Sequence, residues 1–233
     1  MISIVCFKWH KPGFRSTYTA EHVNTLYRMV QRNTNRVHQF VCVTDDAKGI
    51  DPRVKIVPLW ENPCPNYGNG KKPNCFYRLR MFATEMKEIF GEKFLWLDLD
   101  CVITGSIDGI FGHPADFGIW CPDGELMPCN GSLVLNRTGT RHHIWTRFDK
   151  RRVHPERGLR SAGFQGSDQA WIAMNLKLTD FRFGQAQGVY SWRSHIEPVD
   201  PAHLPETARI VFFNGAKKPW DFPEIPWIKE HYR

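Results

Sequence analysis

Two carboxylates follow a short apolar segment in the run FLWLDLDCVITGSID at positions 94–108. The apolar residues from Phe94 to Leu97 predict a buried strand, and Asp98 and Asp100 come directly after it. Because side chains two residues apart in an extended chain point the same way, both carboxylates can reach one ion. Open α/β sheets bind their ligands at the carboxyl ends of the strands, and hard oxygen ligands suit Mg²⁺ or Mn²⁺. Asp98 and Asp100 are therefore candidate metal ligands.

An ion held by only two carboxylates keeps coordination positions for water and for substrate phosphates. Such an ion can neutralise a diphosphate and help it to leave. The alternative is that the two acids merely begin a turn. A core strand that ends on adjacent like charges is unfavourable without a counter-ion, and this favours the ligand interpretation.

Short apolar strands alternate with helical patterns along the first part of the chain. Periodicity predicts strands at Ile2 to Phe7, Phe40 to Thr44, Val54 to Leu59 and Leu133 to Leu135, besides a central one at Phe94 to Leu97. It predicts helices at Ala20 to Gln31, Phe76 to Phe90, His142 to Phe148 and Ser167 to Met174. This order predicts an α/β fold with a mostly parallel central sheet flanked by helices. No linker divides residues 1–233, so we expect a single domain.

Two irregular segments are candidates for specificity. The Pro- and Gly-rich loop from Asn62 to Pro73 is a candidate mobile segment over a site. The segment from Arg147 to Gly166 holds a basic run, formed by Arg147, Lys150, Arg151, Arg152, Arg157 and Arg160. This run is either a solvated helix end or loop, or a contact for an anionic acceptor or for the inner membrane face.

Composition restricts the class of protein. The 233 residues are 42% apolar and 13% aromatic, enough for a core and too much for a disordered chain. The net charge of +7 favours anionic ligands without choosing among them. Basic residues are not interleaved with aromatic ones in a recognised pattern, so no nucleic-acid partner is expected. Seven Cys without a CxxC pair, and an N-terminus unlike a signal peptide, predict reduced thiols and a cytoplasmic protein.

Five short motifs occur in an order typical of one enzyme family. Asp98-Leu99-Asp100 resembles the DxD motif of A-type glycosyltransferases, and the other four are CFYRLRMF (75–82), NGSLVLN (130–136), GSDQAWI (166–172) and FFNGAKKPW (212–220). Together they resemble the family 8 glycosyltransferases, a group that includes glycogenin and bacterial lipopolysaccharide glycosyltransferases. The resemblance covers most of the chain. It implies a Rossmann-like fold with a nucleotide-binding half at 1–100 and a sugar- and acceptor-binding half at 101–233.

The resemblance implies a hexosyltransferase that uses a UDP-sugar and a divalent cation, with retention of anomeric configuration. Asp98 and Asp100 would hold Mn²⁺ or Mg²⁺, and the backbone of Leu99 would touch the donor. Arg78 stands where the family usually has Lys, and it would pair with phosphate or with the first Asp. Tyr18, after the first strand, would stack on uracil.

The remaining motif residues would hold the sugar and the diphosphate. The resemblance implies that Asn130 and Asp168 hydrogen-bond the donor sugar and that Gln169 lies close to the anomeric carbon. Asp168 and Gln169 are therefore the catalytic candidates. Gly215, by close backbone approach, and Lys218, as a point charge, would hold the diphosphate.

One position departs from the family pattern. The third metal ligand of the family is the His that opens the C-terminal signature, and Phe212 stands there in this chain. Water or a neighbouring side chain would then complete the metal site, or metal binding would need the diphosphate, or activity would be lost. Individual motif residues also have plainer interpretations: Asn130 and Gly131 as a turn, Asp168 as an acid at a helix N-terminus, and Gly215 as a loop glycine.

Two other functions compete with sugar transfer. A sugar nucleotidyltransferase would also place acids at strand ends. Such enzymes usually carry a Gly-rich basic loop after the first strand, whereas KWHKPGFRST has one Gly. A sugar-nucleotide-binding protein without turnover is favoured by Phe212. The acceptor, whether glycan, glycolipid or protein, is not readable from the residues.

Overall fold

Ten strands and six α-helices occur in the part of the chain that the structure describes. The computed structural model describes residues 2–10, 17–67, 74–122, 129–153 and 167–233. The strands are β1 (Ile2–Lys8), β2 (His38–Thr44), β3 (Lys55–Pro58), β4 (Lys93–Leu97), β5 (Cys101–Ile103), β6 (Phe117–Trp120), β7 (Asn130–Arg137), β8 (Phe181–Phe183), β9 (Val189–Ser191) and β10 (Ile210–Phe212). The α-helices are α1 (Ala20–Asn33), α2 (Lys87–Phe90), α3 (Asp108–Phe111), α4 (His143–Thr146), α5 (Asp168–Met174) and α6 (Pro226–His231).

The larger sheet has seven strands in the order β3-β2-β1-β4-β7-β6-β8. β1 runs parallel to β2 and β4, β2 is parallel to β3, and β6 is parallel to β8. Only β7 runs against its two neighbours, β4 and β6. β4 is the middle strand, as the apolar run at Phe94 to Leu97 predicts. The mostly parallel sheet flanked by helices confirms the predicted fold class.

Apolar side chains cover both faces of this sheet. On β4, Leu95 and Leu97 pack in the layer that contains α1, whereas Phe94 and Trp96 pack in the opposite layer with α5. A strand buried on both faces needs apolar residues at every position, not in alternation. This explains why the core strands read as continuous apolar runs.

The segment predicted as one helix from Phe76 to Phe90 is not continuous, so that prediction is wrong. A 3₁₀ helix spans Phe76–Phe82, Ala83 is extended at φ −67° and ψ 145°, and a 3₁₀ turn at Thr84–Met86 leads into α2. In a 3₁₀ helix, side chains three apart lie on one face. Phe76, Leu79 and Phe82 have this spacing and are fully buried. Packing of these side chains against the sheet therefore outweighs the α-helical preference.

The structure bears on three further predictions, made for other segments of the chain. The helix predicted from His142 to Phe148 is shortened to α4 (His143–Thr146). Asn130 and Gly131 do not form a turn but begin β7. The loop predicted from Asn62 to Pro73 is described only to residue 67, and residues 68–73 lie outside the described part of the chain.

A small three-stranded sheet, in the order β5-β10-β9, joins the C-terminal segment to the acidic motif. β10 pairs antiparallel with β5, with Phe212 opposite Cys101. The backbone N–H of Phe213 donates to the carbonyl oxygen of Asp100 at 2.8 Å. This pairing brings the C-terminal signature to the end of β4. The predicted division into halves at residue 100 stays a prediction.

All seven Cys are free thiols, and Cys6, Cys42 and Cys101 are fully buried, as their positions in strands predict. Burial raises the pKa of Cys101, so this thiol stays protonated. Within the described ranges, no helix combines the length and the apolar character needed to cross a bilayer.

Candidate functional site

Arg78 joins two of the predicted site carboxylates. Its Nη1 donates to Asp98 Oδ1 at 2.6 Å, and its Nε donates to Asp168 Oδ2 at 2.7 Å. The side chains of Arg78 and Asp168 are 9% and 2% exposed. Burial lowers the pKa of Arg78, but Asp168 and Asp98 outweigh burial and raise it, so the guanidinium stays charged. The 3₁₀ helix Phe76–Phe82 thus ties the end of β4 to the start of α5.

Asp98 has two further donors. Ser132 on β7 donates its hydroxyl to Oδ2 at 2.9 Å, and the indole N–H of Trp96 donates to Oδ1 at 3.2 Å. The guanidinium of Arg78 lies over the Trp96 ring, 4.3 Å from its centroid. Asp98 is therefore held by donors from three separate elements.

Asp100 has its own cation. Lys218 Nζ forms a salt bridge with Asp100 Oδ2, and the hydroxyl of Tyr18 donates to the same oxygen at 3.1 Å. Lys218 also donates to the carbonyl oxygen of Phe213 at 3.3 Å. Burial raises the pKa of Asp100, and the neighbouring Lys218 opposes this rise. Burial and Asp100 raise the pKa of Tyr18 above its usual range, so its hydroxyl remains a donor.

Asn130 and Gln169, the other two residues predicted near the donor sugar, are joined through β7. Gln169 Oε1 accepts from the backbone N–H of Gly131 at 3.2 Å. Asn130 Oδ1 accepts from the backbone N–H of Ser132 at 2.9 Å. Asp168 is the first residue of α5, as the helix-terminus interpretation expects, but it is also ion-paired. The helix-terminus interpretation of Asp168 is thus confirmed, and its role toward a donor sugar stays a prediction.

Gly215, Leu99 and Tyr18 differ in what they offer to a ligand. Gly215 has φ +129°, a conformation that favours glycine, and a Cβ there would meet no atom within 4 Å. Leu99 is 2% exposed and packs in the core, and its backbone contact with a donor stays a prediction. Tyr18 packs edge-on against Trp220, with ring centroids 6.1 Å apart. His22 lies 4.2 Å from the Trp220 ring centre.

The carboxylates fit part of a divalent metal site. Within the described ranges, the side-chain hydrogen bonds to Asp100 reach Oδ2 and not Oδ1, so the lone pairs of Oδ1 are not used by another side chain. Asp98, Asp100 and Asp168 face two cations, Arg78 and Lys218, which leaves an excess of negative charge. The described residues contain no group of three or more His, Cys, Asp or Glu arranged to hold a metal. Other ligands would have to come from water or from a diphosphate.

Phe212 does not contribute to such a site. Its side chain is fully buried and stacks on Trp120, with ring centroids 4.8 Å apart and an interplanar angle of 30°. An apolar ring in this environment contributes to core packing. The position that the resemblance implies for a third ligand is therefore a core position.

The structure brings the predicted ionic residues together, and it adds two that the motifs did not single out. Trp96 and Ser132 both contact Asp98. A sequence signal for Trp96 existed, because it stands two residues before Asp98 and extended side chains two apart share a face. No comparable signal existed for Ser132, since its pairing with Asp98 depends on the register of β7 against β4.

The described part of the basic run is exposed. Arg147 directly follows α4, Arg151 pairs with Asp149, and Arg152 lies 5.8 Å from the ring centroid of Trp171. These positions agree with a solvated helix end and turn. Arg157 and Arg160 lie outside the described residues.

Neither a protein-family model nor a curated protein matches the sequence. Solved structures with the same fold exist. The galactosyltransferase LgtC in complex with donor and acceptor sugar analogs is 12% identical, with a TM-score of 0.58 over 99% of this chain and 96% of LgtC. The glycosyltransferase GlyE from Streptococcus pneumoniae TIGR4 is 14% identical, with a TM-score of 0.61 over 99% of this chain and 63% of GlyE. The chain therefore shares the fold of these glycosyltransferases, which confirms the A-type architecture implied by its resemblance to family 8.

Proposed function

We propose that this protein is a glycosyltransferase that moves a hexosyl group from a UDP-sugar to an acceptor, with a divalent cation and with retention. The observation that carries the proposal is a set of ion pairs in which Arg78 joins the partly exposed Asp98 to the buried Asp168, while Lys218 pairs with the buried Asp100. A shared fold with glycosyltransferases supports glycosyl transfer in general. The donor, the cation and the stereochemistry rest on the motifs.

Each ionic residue has a role in this proposal. Asp98 and Asp100 would hold Mn²⁺ or Mg²⁺, which when bound supplies positive charge to the diphosphate. Lys218 would stabilise charge on the departing diphosphate, and Gly215 would let its backbone approach closely. Arg78 keeps Asp168 paired and oriented at the start of α5.

Asp168 and Gln169 are the groups proposed to face the reacting sugar. A transition state with oxocarbenium character is stabilised by a nearby carboxylate or amide oxygen. Asp168 is 1% exposed, so a charge there would act in a medium that screens it little. Asn130 would add a hydrogen bond to the donor sugar, and Tyr18 would stack on the uracil.

The test is Asp98→Ala, measured by calorimetry with UDP in the presence and absence of Mn²⁺ and by donor hydrolysis. We expect the loss of both manganese-dependent UDP affinity and hydrolysis. Asp116→Ala, at an exposed ion pair with Arg137, is the matched control and should behave like the wild type. An Asp98→Ala protein that binds UDP as tightly, with unchanged manganese dependence, contradicts the proposed metal site.

A sugar-nucleotide-binding protein without turnover is the second candidate. The buried Phe212, in place of a third ligand, favours it. Tight UDP binding with no donor hydrolysis under any divalent metal would identify this function.

For the acceptor, we propose an anionic glycan or glycolipid at the inner membrane face, contacted from the cytoplasm by the exposed basic residues. Arg151 is 86% exposed and available to such a contact. Charge reversal at Arg151 and Arg152 should reduce acceptor turnover without changing UDP affinity. Unchanged turnover on an anionic acceptor would count against this assignment.

A further inference from the structure

We propose that Trp96 and Ser132 are positioning residues that fix Asp98 and Arg78 for binding of the divalent cation and the diphosphate, an inference that rests on the proposed function. Neither side chain carries a charge or belongs to the acidic motif. Both are buried, at 0% and 5% exposure, and both donate to Asp98.

Ser132 is joined to Asp98 twice. The backbone N–H of Asp98 donates to the carbonyl oxygen of Ser132 at 2.9 Å, and the Ser132 hydroxyl donates to Asp98 Oδ2 at 2.9 Å. The first bond continues the β4–β7 pairing by one residue, and the second fixes the rotation of the carboxylate. Asn130 in turn accepts from the backbone N–H of Ser132. The position of the Asp98 carboxylate therefore depends, through Ser132, on the position of β7.

Trp96 contacts both members of the Arg78–Asp98 ion pair. The face of its indole lies under the guanidinium at 4.3 Å, and its N–H donates to Asp98 Oδ1 at 3.2 Å. Within the described residues, Oδ1 thus receives two donors, Arg78 and Trp96, whereas Oδ2 receives one, from Ser132. Since each carboxylate oxygen has two lone pairs, Oδ2 keeps one position for a further ligand.

A purely structural role for these residues predicts a different outcome from a positioning role. Partners that orient a metal ligand typically contribute about 10- to 100-fold to metal affinity or activity. Loss of a hydrogen bond that only stabilises the fold lowers the melting temperature and leaves the affinity of the folded protein unchanged. Metal affinity therefore separates the two roles.

The first experiment measures the dissociation constant of Mn²⁺, with UDP present, by electron paramagnetic resonance. Ser132→Ala and Trp96→Phe should each weaken Mn²⁺ binding by roughly tenfold. Trp96→Phe keeps an aromatic ring under Arg78 but loses the indole N–H together with the rest of the five-membered ring, the same atoms that the control Trp227→Phe loses. Ser132→Thr retains the hydroxyl and should recover most of the affinity.

The matched controls remove equivalent groups elsewhere in the core. Ser3 is a fully buried strand serine whose hydroxyl donates to the Phe90 carbonyl, and Trp227 is a buried indole that donates to the Pro201 carbonyl. Ser3→Ala and Trp227→Phe should leave the Mn²⁺ affinity at the wild-type value. Equal shifts in the site variants and in these controls overturn the inference.

The second experiment needs no metal. In protein labelled with ¹⁵N-tryptophan, the indole resonance that disappears in Trp96→Phe is that of Trp96. This resonance should shift in Asp98→Asn, because its acceptor loses its charge, and an unchanged resonance overturns the inference. A wild-type protein without manganese-dependent UDP binding overturns the proposed function and the inference together. Wild-type-like Mn²⁺ affinity in Ser132→Ala and Trp96→Phe overturns the inference alone.

Discussion

Lys218 and Asp100 form a buried ion pair in which each side chain is less than a tenth exposed. Removal of one partner of such a pair leaves an uncompensated charge and typically costs about 3–5 kcal/mol. We therefore expect Lys218→Met to lower the free energy of unfolding by about 3 kcal/mol in urea titrations with EDTA. Mn²⁺ should restore part of this loss, because a cation can take the place of the ammonium group beside Asp100.

Two controls test whether charge is the cause. The double variant Asp100→Asn, Lys218→Met should be more stable than Lys218→Met, since no charge is left unpaired. Lys217→Met removes a neighbouring lysine that is 57% exposed and should change stability by less than about 1 kcal/mol. A single variant that is as stable as the double variant, and indifferent to Mn²⁺, would contradict the expectation.

A lysine in place of Arg78 could not make the same two hydrogen bonds, because the guanidinium reaches Asp98 and Asp168 from different nitrogens. Arg78→Lys keeps the charge but gives up one of these charged hydrogen bonds, each worth roughly 1.5–3 kcal/mol. The catalytic efficiency with the donor should fall by at least about tenfold. Arg80→Lys, on the same 3₁₀ helix, is the control. Equal efficiencies in the two variants would argue against the bridging role.

At the scale of single elements, β7 contains two asparagines with opposite roles. Asn136 is fully buried, and neither atom of its side-chain amide has a hydrogen-bond partner among the described residues. Asn130 instead accepts from the backbone N–H of Ser132. Asn136→Val should leave stability unchanged or raise it by about 1 kcal/mol, whereas Asn130→Val should lower it by about 1 kcal/mol. Thermal unfolding of both variants checks this, and the reverse order would refute it.

The start of α1 depends on a neutral histidine. The backbone N–H of Thr19 donates to His22 Nδ1 at 2.8 Å, and burial lowers the pKa of His22. Folding thus favours the neutral form of His22. The stability that this preference contributes is complete above the pKa of histidine in the unfolded chain, about 6.5, and is lost as the pH falls below that value. His22→Gln keeps an acceptor at this capping position without titrating. Its melting temperature should fall less than that of the wild type between about pH 7.5 and pH 5.5. Equal falls would exclude His22 as the cause.

At the scale of the whole molecule, the net charge of +7 acts on any charged nucleotide that approaches. Added salt screens this attraction, with a Debye length of about 10 Å at 0.1 M and about 3 Å at 1 M. UDP affinity should therefore weaken as NaCl rises from about 0.1 M to 1 M in calorimetric titrations. Uridine, which has no phosphate, should bind with the same affinity throughout. A parallel decrease for uridine would show that salt acts on the fold instead.

Local patterns were sufficient for the core strands and for Asp98 and Asp100 as candidate ligands, whereas Arg78, Asp168 and Lys218 were singled out by the resemblance. The apolar run before Asp98 predicts a central strand because a doubly covered strand has no polar face. The order of the five motifs predicts the A-type fold, which solved glycosyltransferase structures share. The predicted roles of all the candidate site residues toward a metal or a ligand stay predictions, those of Asp98, Asp100 and Lys218 included.

Tertiary structure decided where the predicted helix breaks and which side chains pair in the site, because contacts between distant residues have no local signature. The helix from Phe76 to Phe90 breaks at Ala83 because packing against the sheet selects a three-residue spacing. Ser132 reaches Asp98 only through the register of β7 on β4. Lys218 neutralises Asp100, 118 residues away in sequence, because β10 pairs with β5. The sequence by itself therefore determined which charged groups are present, and the pairing of strands determined which of them meet.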